Sequence, residues 1–233
     1  MEIKISGKTL DFTFPENLAE VCINVLDGDD YPILKIPDLH IDVIIDVGAN
    51  AGSTSLYFLN NYPQARIFSF EPSRTTFEYL KKNTMSFSNI FCYNYALGSK
   101  NDRVFLHHGK EHCAQNSIYK SGTTSLHGEM VLMRKASEVI SELGVKEISI
   151  LKLDTEGSEL PILSDIYPKY NVKVIYIEYH SEKDRIRIDR LLQRDYFLAF
   201  SKSTKIHRGR IAYILKSFCN KNPQLYYYRI PTP

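Results

Sequence analysis

The pattern of apolar and polar positions alternates between two periods along most of the chain. Residues 42–47, Asp-Val-Ile-Ile-Asp-Val, form a short and nearly continuous apolar run, typical of a strand buried on both faces. A glycine-containing turn follows, and residues 53–61 are predicted as a helix that packs through Leu56, Phe58 and Leu59. The same order of strand and helix then repeats, which predicts a parallel sheet covered by helices on both faces.

The remaining elements are predicted from the same periodicities. Further strands are predicted at 65–70, 89–95, 147–153, 172–179, 196–201, 210–215 and 225–230. Further helices are predicted at 73–84, 135–143, 159–167 and 183–194. A strand pair at 2–5 and 10–14 and a helix at 16–26 precede this series. The last two strands have no helical pattern between them, so an antiparallel edge is expected.

The composition fits one globular domain. The chain has 233 residues, of which 43% are hydrophobic and 24% are charged, and it shows no linker, repeat or low-complexity tract. We therefore predict a single domain over 1–233, with an N-terminal extension at 1–41, a core at 42–233 and an insertion near 100–134. No stretch approaches the ~20 apolar residues of a membrane span, so no transmembrane segment is expected.

Cysteine usage and charge distribution bear on location and partners. The N-terminus lacks the apolar core of a signal peptide, and the four cysteines form no Cys-x-x-Cys pair, so we expect reduced thiols and a cytoplasmic protein. Residues 200–233 contain seven basic side chains and no acidic one. Such a segment could attract a phosphate-bearing or anionic-lipid-linked partner, or it could be a solvated terminal hairpin.

Chemically distinctive residues follow two of the predicted strands. Asp46, Gly48, Asn50 and Gly52 have the spacing D-x-G-x-N-x-G, and Glu71 ends the next strand. An acid at the front of the turn suits a cationic ligand such as S-adenosylmethionine better than a pyrophosphate, and a carboxylate at the second strand end can accept both ribose hydroxyls. The alternative is an ordinary strand, turn and helix with surface acids.

Five segments resemble the FkbM-type methyltransferases, a branch of the S-adenosylmethionine-dependent Rossmann-like enzymes. The segments are IDVGANAGSTSLYF (45–58), FSFEPSRTTFEYLKKN (68–83), NYALG (94–98), ISILKLDTEGSELPIL (148–163) and IYIEYH (175–180). The resemblance implies an α/β fold of the class I methyltransferase type, with a mostly parallel seven-stranded sheet, helices on both faces and an antiparallel edge strand. The chain departs from the family pattern at 131–140, where Lys135, Ala136 and Ser137 replace the usual residues.

The resemblance also implies which residues bind the cofactor. Asp46, Gly48, Asn50 and Gly52 would surround the methionine portion of S-adenosylmethionine. Glu71 would bind its ribose. The strand end at Tyr95 and Ala96 would border the adenine.

Acidic residues and a histidine follow two later strands and are candidates for the methyl-acceptor side: Asp154, Glu156, Glu178 and His180. A hydroxyl acceptor must lose its proton during transfer, to a carboxylate or an imidazole. We expect His180 or Glu178 to be the base and Asp154 to position the acceptor and the methyl donor. A bound divalent metal is an alternative way to lower the hydroxyl pKa, although no metal ligands are assigned. Alternatively, Glu156 or Glu159 only holds the N-terminus of the following helix.

The segment 107–127 is predicted to be irregular and to cover the acceptor pocket. His108 and His112 have the spacing of two metal ligands on a helix, but no complete zinc ligand set is present and the local sequence does not favour a helix. Ser125 and His127 are minor candidates for substrate contact.

Three functions remain open from the sequence. The leading one is an O-methyltransferase that acts on a hydroxyl of a sugar, a glycolipid or a related small molecule. A second is an RNA ribose 2'-O-methyltransferase using Asp154, Glu178 and Lys205, although a pI near 8.2 disfavours nucleic acid as a partner. The third is a non-catalytic cofactor-binding protein. A homodimer formed through the N-terminal strands is one option for the oligomeric state.

Overall fold

Strands and helices alternate along the computed structural model, which describes residues 1–15, 17–34, 36 and 39–221. The strands are β1 (Glu2–Ile5), β2 (Lys8–Asp11), β3 (Val43–Val47), β4 (Arg66–Phe70), β5 (Ile90–Tyr93), β6 (Ala96–Gly98), β7 (Asp102–Gly109), β8 (Thr124–Lys135), β9 (Glu147–Leu153), β10 (Asn171–Tyr179), β11 (Tyr196–Lys205) and β12 (Arg208–Leu215). The helices are α1 (Ala19–Leu26), α2 (Ser53–Asn61), α3 (Arg74–Thr84), α4 (Ala136–Glu142), α5 (Glu159–Ile166), α6 (Glu182–Leu192) and α7 (Lys216–Lys221).

A seven-stranded sheet in the order β11-β12-β10-β9-β3-β4-β5 forms the centre of the molecule. Neighbouring strands from β10 to β5 are parallel, whereas β12 runs antiparallel to both β10 and β11. The predicted α/β class with a mostly parallel seven-stranded sheet is therefore confirmed. The antiparallel pair at this edge is formed by β11 and β12, and the strand predicted at 225–230 lies outside the described residues.

Alternating side chains of the central strands fill two apolar layers, one on each face of the sheet. Ile45 and Leu151 belong to a cluster that α4, α5 and α6 cover. Ile44 and Ile150 belong to the opposite cluster, which α1 and α2 cover. Because all four side chains are fully buried, β3 and β9 read as continuous apolar runs, and this is why their positions could be predicted.

The N-terminal extension packs onto the core. The backbone N–H of Ser6 donates to Asn60 Oδ1 in α2 at 2.9 Å. Asn83 in α3 accepts from the N–H of Thr13 and donates to the carbonyl of Ala51, at 2.9 and 2.8 Å. Phe12 is fully buried within the apolar layer on this face. The extension therefore forms part of one wall of the core.

The irregular segment predicted at 107–127 is confirmed for 110–123, where the longest regular element is a short 3₁₀ turn, whereas its two ends belong to strands β7 and β8. Strands β6, β8 and β7 form a separate three-stranded sheet, with β7 and β8 antiparallel. This sheet is covered less completely than the central one, and Met130 and Leu132 of β8 are about half exposed. Helix α7 was also not predicted, and β2 ends at Asp11 instead of residue 14.

Two further findings concern the chain as a whole. Among the described residues, no helix combines the length and the apolar character that crossing a bilayer requires. The four cysteines are all free thiols, in agreement with the expected absence of a disulfide framework.

Candidate functional site

A cleft with about 890 Å³ of empty space, including its open mouth, lies at the carboxyl ends of the central parallel strands. This is where ligands bind in open α/β sheets. Of the predicted cofactor and acceptor residues, those lining the cleft are Gly48, Asn50, Glu71, Ala96, Asp154 and Glu156. Two walls come from outside the central sheet: Leu18, Val21, Cys22 and Val25 near or in α1, and Cys113, Ala114, Asn116 and Ile118 of the insertion. The insertion thus contributes one wall of the cleft.

The loop after β3 requires glycine at position 48 because the backbone of another loop passes too close for a side chain. Gly48 has φ +78°, and a Cβ at this position would lie 1.8 Å from the carbonyl oxygen of Asp154. The N–H groups of Gly48 and Ala49 both donate to the carbonyl of Phe70 at 3.0 Å, which fixes the loop against β4. Gly52, at φ +94°, begins α2 and lies outside the cleft lining. The left-handed conformations therefore set the path of the chain between β3 and α2.

Asp46 lies beneath the cleft and forms a buried ion pair with Lys152. Its carboxylate is fully buried, 3.1 Å from Lys152 Nζ, and Ser55 Oγ donates to it at 2.6 Å. Lys152 also donates to the carbonyl of Gly48 at 2.7 Å. Burial alone would lower the pKa of Lys152, but Asp46 and Asp154 outweigh this effect and raise it. The sequence reading did not single out Lys152, although a lysine inside an otherwise apolar strand is a signal of a paired charge.

Glu71 is buried in the cleft wall at the end of β4. Its two carboxylate oxygens accept hydrogen bonds from the N–H groups of Asn50 and Ser73, at 3.0 and 2.9 Å. Burial raises the pKa of Glu71 to about 7, although these two hydrogen bonds oppose the shift. Each oxygen keeps a lone pair that can accept a further hydrogen bond from a ligand.

Tyr95 and Ala96 take different positions. Ala96 lines the cleft, whereas Tyr95 packs its ring 5.6 Å from that of Phe70 and under the guanidinium of Arg134. Tyr95 therefore supports the wall of the cleft from behind.

The acidic residues predicted for the acceptor side surround one imidazole. Nε2 of His180 lies 3.9 Å from Asp154 Oδ1, 3.3 Å from Glu156 Oε1 and 3.7 Å from Glu178 Oε1. Nδ1 of the same ring lies 3.2 Å from Glu159 Oε1. Burial alone would lower the pKa of His180, but Glu156 and Glu159 raise it to about 11. These carboxylates therefore favour the cationic imidazole, which has no lone pair with which to accept a proton.

The convergence results from the loop after β9 and the adjacent end of β10, which pairs with β9 as expected. Alternation along a strand does not bring Asp154 and Glu156 together, because Glu156 has φ +54° and lies in the loop. Glu159 accepts hydrogen bonds from the N–H groups of Thr155 and Gly157 and so holds this loop. Glu159 therefore holds the loop before α5 and also contacts His180.

Residues distant in sequence complete the cluster. Tyr31, from the N-terminal extension, donates to Asp154 Oδ2 at 3.2 Å. Arg210 of β12 pairs with Glu178 Oε2 and with Asp30 Oδ1, both at 2.8 Å. Burial, followed by the nearby Asp154 carboxylate, raises the pKa of Glu178 to about 7. Tyr31 and Arg210 carry no local sequence signal, and only the fold brings them to the site.

The remaining sequence candidates lie away from the cleft lining. On β8, Ser125 is half-buried and His127 is exposed, and the two hydrogen-bond with each other. His108 lies 3.5 Å from Glu129 in a partly exposed pair. Lys205 is exposed at the end of β11, whereas the cation beside Asp154, at 4.0 Å, is Lys152.

Comparisons with known proteins agree with this architecture. The family model described as the methyltransferase FkbM domain matches residues 46–202. "Methyltransferase 1" of Beauveria bassiana is 25% identical over 153 residues, which cover 57% of this chain and 61% of that protein. The 2-O-methyltransferase NoeI of Sinorhizobium fredii is 24% identical over 166 residues, which cover 65% of this chain and 67% of that protein.

Solved structures show the same fold. Methyltransferase FkbM from Methylobacillus flagellatus superposes with a TM-score of 0.54 at 16% identity, over 79% of this chain and 46% of that one. Fibrillarin from Aeropyrum pernix, solved with natively bound S-adenosyl-L-methionine, superposes with a TM-score of 0.52 at 13% identity, over 84% and 74% of the two chains. The chain thus spans less than two thirds of the fungal relative and less than half of the M. flagellatus protein.

Proposed function

Because the chain belongs to the methyltransferase FkbM family, we propose that it transfers the methyl group of S-adenosylmethionine to a hydroxyl of a sugar, a glycolipid or a related small molecule. The observation that carries this proposal is the position of Asp154. This residue lines the cleft and also faces His180 in the acidic cluster. A cofactor in the cleft and an acceptor at the cluster would therefore meet at one side chain.

The cleft residues fit S-adenosylmethionine. The Glu71 carboxylate has free lone pairs for the two ribose hydroxyls. The acids around the cleft favour a cationic sulfonium, and the apolar wall of Leu18, Val21 and Val25 excludes water from it. The methionine portion would be bordered by the loop that contains Gly48, Asn50 and Gly52, with Asp46 of β3 beneath it. The adenine would be bordered by Ala96, with Tyr95 behind it.

The acidic cluster would serve the acceptor. When bound, S-adenosylmethionine supplies an activated methyl group: the acceptor oxygen bonds to its carbon, the carbon–sulfur bond breaks with its electrons left on sulfur, and the hydroxyl proton is released. Asp154 would orient the hydroxyl by accepting its hydrogen bond, which is the main requirement of an in-line displacement. Glu156 and Glu178, which lie 3.3 and 3.7 Å from Nε2 of His180, would together with this imidazole be the groups beside the released proton.

The charge of the cluster favours a neutral hydroxyl acceptor over the alternatives. Carboxylates accept hydrogen bonds, which a sugar hydroxyl can donate. An amine at this position would be held as its ammonium form, which has no lone pair for attack. The phosphates of RNA would be repelled by the acids, and Lys205 lies on the hairpin outside the cleft lining.

Calorimetric titration with S-adenosylmethionine and S-adenosylhomocysteine, on the wild type and on Glu71→Ala, tests the cofactor assignment. We expect micromolar binding to the wild type and at least a tenfold loss in the variant. An exposed glutamate of α3, changed in Glu78→Ala, is the matched control and should leave the affinity unchanged. No binding to the wild type would contradict the proposal.

Formation of S-adenosylhomocysteine with a panel of sugars, glycolipids and RNA tests the acceptor class. His180→Ala should lower turnover at least tenfold while the cofactor affinity stays within about twofold of the wild type. Turnover unchanged in this variant would remove His180 from the catalytic cluster. Turnover with RNA alone would favour the ribose methyltransferase, and cofactor binding without turnover on any acceptor would favour a non-catalytic binding protein.

A further inference from the structure

Three carboxylates each direct one oxygen at the same nitrogen. Asp154 Oδ1, Glu156 Oε1 and Glu178 Oε1 all lie 3.3–3.9 Å from Nε2 of His180. The side chain of His180 is only 7% exposed. Neither ring nitrogen forms a hydrogen bond of acceptable geometry with any described residue. A buried imidazole therefore points an unsatisfied nitrogen into a ring of acids.

The second oxygen of each carboxylate is held from outside by a different donor. Tyr31 donates to Asp154 Oδ2 at 3.2 Å. Arg210 contacts Glu178 Oε2 at 2.8 Å. Glu156 Oε2 has a basic partner on the same strand as Arg210: Arg208, at 3.5 Å. The outer oxygens are anchored, so the inner ones are held facing Nε2 of His180.

The charges around this point do not balance. Six carboxylates and three basic side chains surround it in the described part of the chain, so the acids exceed the bases by three, and by two when the imidazole of His180 is counted as a cation. The acids are Asp30, Asp46, Asp154, Glu156, Glu159 and Glu178, and the bases are Lys152, Arg208 and Arg210. Buried charge of one sign is costly unless a cation neutralises it.

We propose that Asp154 Oδ1, Glu178 Oε1 and His180 Nε2 bind a divalent metal ion, with Glu156 Oε1 beside it. The three ligand atoms lie within 4.8 Å of one another. Donors that share an ion about 2.1 Å away are about 3 Å apart when adjacent and about 4 Å apart when opposite, so small side-chain movements complete the site. Glu159, 3.2 Å from Nδ1, would orient the ring, as a carboxylate commonly does behind a metal-bound histidine.

The donor set indicates the class of ion. Two or three carboxylate oxygens with one imidazole suit Mn²⁺ and related divalent ions. Soft metals prefer thiolate ligands, and this donor set contains none. An ion at this point would polarise an acceptor hydroxyl and lower its pKa. That catalytic use rests on the proposed function, but binding of the ion does not.

Electron paramagnetic resonance of MnCl2 titrated into the protein, without cofactor or acceptor, tests the site directly. We expect one Mn²⁺ per chain with micromolar affinity, and a pulsed-resonance signal from the ¹⁴N of a coordinated imidazole. His180→Ala should abolish that signal, and both His180→Ala and Glu178→Gln should weaken binding at least tenfold. Glu129→Gln removes one carboxylate from the partly exposed His108 pair and should change neither.

The outcomes separate this inference from the proposed function. Absence of Mn²⁺ binding, or equal binding in the wild type and Glu178→Gln, would overturn the metal site and leave a protonated His180 as the counter-charge. The ¹⁴N signal needs only the wild type, so the test holds even if a variant does not fold. Methyl transfer at full rate in excess EDTA would refute a catalytic role of the ion while supporting the methyltransferase. Mn²⁺ binding without any binding of S-adenosylmethionine would support the metal site and contradict the proposed methyltransferase function.

Discussion

Replacing Glu71 by glutamine should change the pH dependence of stability in a direction that the structure fixes. The carboxylate is fully enclosed between the N–H groups of Asn50 and Ser73, and burial raises its pKa from 4.5 to about 7. A carboxyl whose pKa is higher in the folded state stabilises the fold at low pH. That stabilisation is complete below about pH 4.5 and is lost as the pH rises through 7.

The size of the effect follows from the two pKa values. Integrating the linkage relation from pH 5 to pH 8 with a folded pKa of about 7 and an unfolded pKa of 4.5 gives a loss of about 2.5 kcal/mol. Glutamine does not titrate, so the variant lacks this contribution at every pH. The difference in unfolding free energy between the two proteins should therefore shift by about this amount, with the wild type losing stability relative to the variant at pH 8.

Urea denaturation of both proteins at several pH values between 5 and 8 measures this shift. The absolute stability of Glu71→Gln is less informative, because its amide N–H would face one backbone N–H and lose a hydrogen bond worth about 1 kcal/mol. The pH-dependent difference cancels that constant cost. Glu78→Gln, on the exposed side of α3, controls for the removal of one negative charge.

At pH 8, where Glu71→Gln gains stability relative to the wild type, the same substitution should weaken cofactor binding. Ribose hydroxyls bound to an ionised carboxylate contribute about 1.5–3 kcal/mol, so glutamine should weaken S-adenosylmethionine about ten- to hundredfold at pH 8. Wild-type affinity should fall as the pH drops below 7, and the variant should show no such fall. Parallel pH profiles of stability in the two proteins, or a variant that binds cofactor as well as the wild type, would refute the reasoning.

Two further changes test the scaffold under the site. Lys152→Met leaves Asp46 buried without its counter-charge and should cost about 3–5 kcal/mol in urea denaturation, whereas adding Asp46→Asn should restore part of the loss. Gly48→Ala places a methyl group 1.8 Å from the carbonyl oxygen of Asp154. It should lower the free energy of unfolding by at least about 3 kcal/mol more than Gly144→Ala, a control with a similar φ of +67° and open space around it. Equal losses of the two variants in thermal denaturation would contradict this.

The sequence was informative where neighbouring residues determine the structure. Strand β9 and helix α2 match their predicted bounds because a fully buried strand and a glycine-started helix leave local patterns. The cofactor-side candidate Glu71 could be named from its place at a strand end, whereas the role of Asn50 was implied by the family resemblance. Adjacency of the ends of β9 and β10 followed from the topology of a parallel sheet.

The same reasoning could not reach contacts between distant segments. Tyr31 meets Asp154 across 123 residues, and the strand bearing Arg210 reaches Glu178 only because β12 inserts beside β10. The second sheet was missed because its strands are half exposed and polar residues interrupt their alternation. The run 129–133 did contain a strand signal, but the histidines and glycines before it obscured it.

Lys152 connects the glycine loop on the cofactor side of the proposed site to the acidic cluster on its acceptor side. Its ammonium group contacts Asp46 at the base of the glycine loop, the carbonyl of Gly48 in that loop, and Asp154 in the acidic cluster, at 3.1, 2.7 and 4.0 Å. In-line transfer loses rate steeply when donor and acceptor are displaced by about 1 Å. A side chain that joins both halves is therefore expected to matter more for the rate of transfer than for the affinity of either ligand. This also accounts for a lysine in an otherwise apolar strand, where its desolvation would be hard to justify from stability alone.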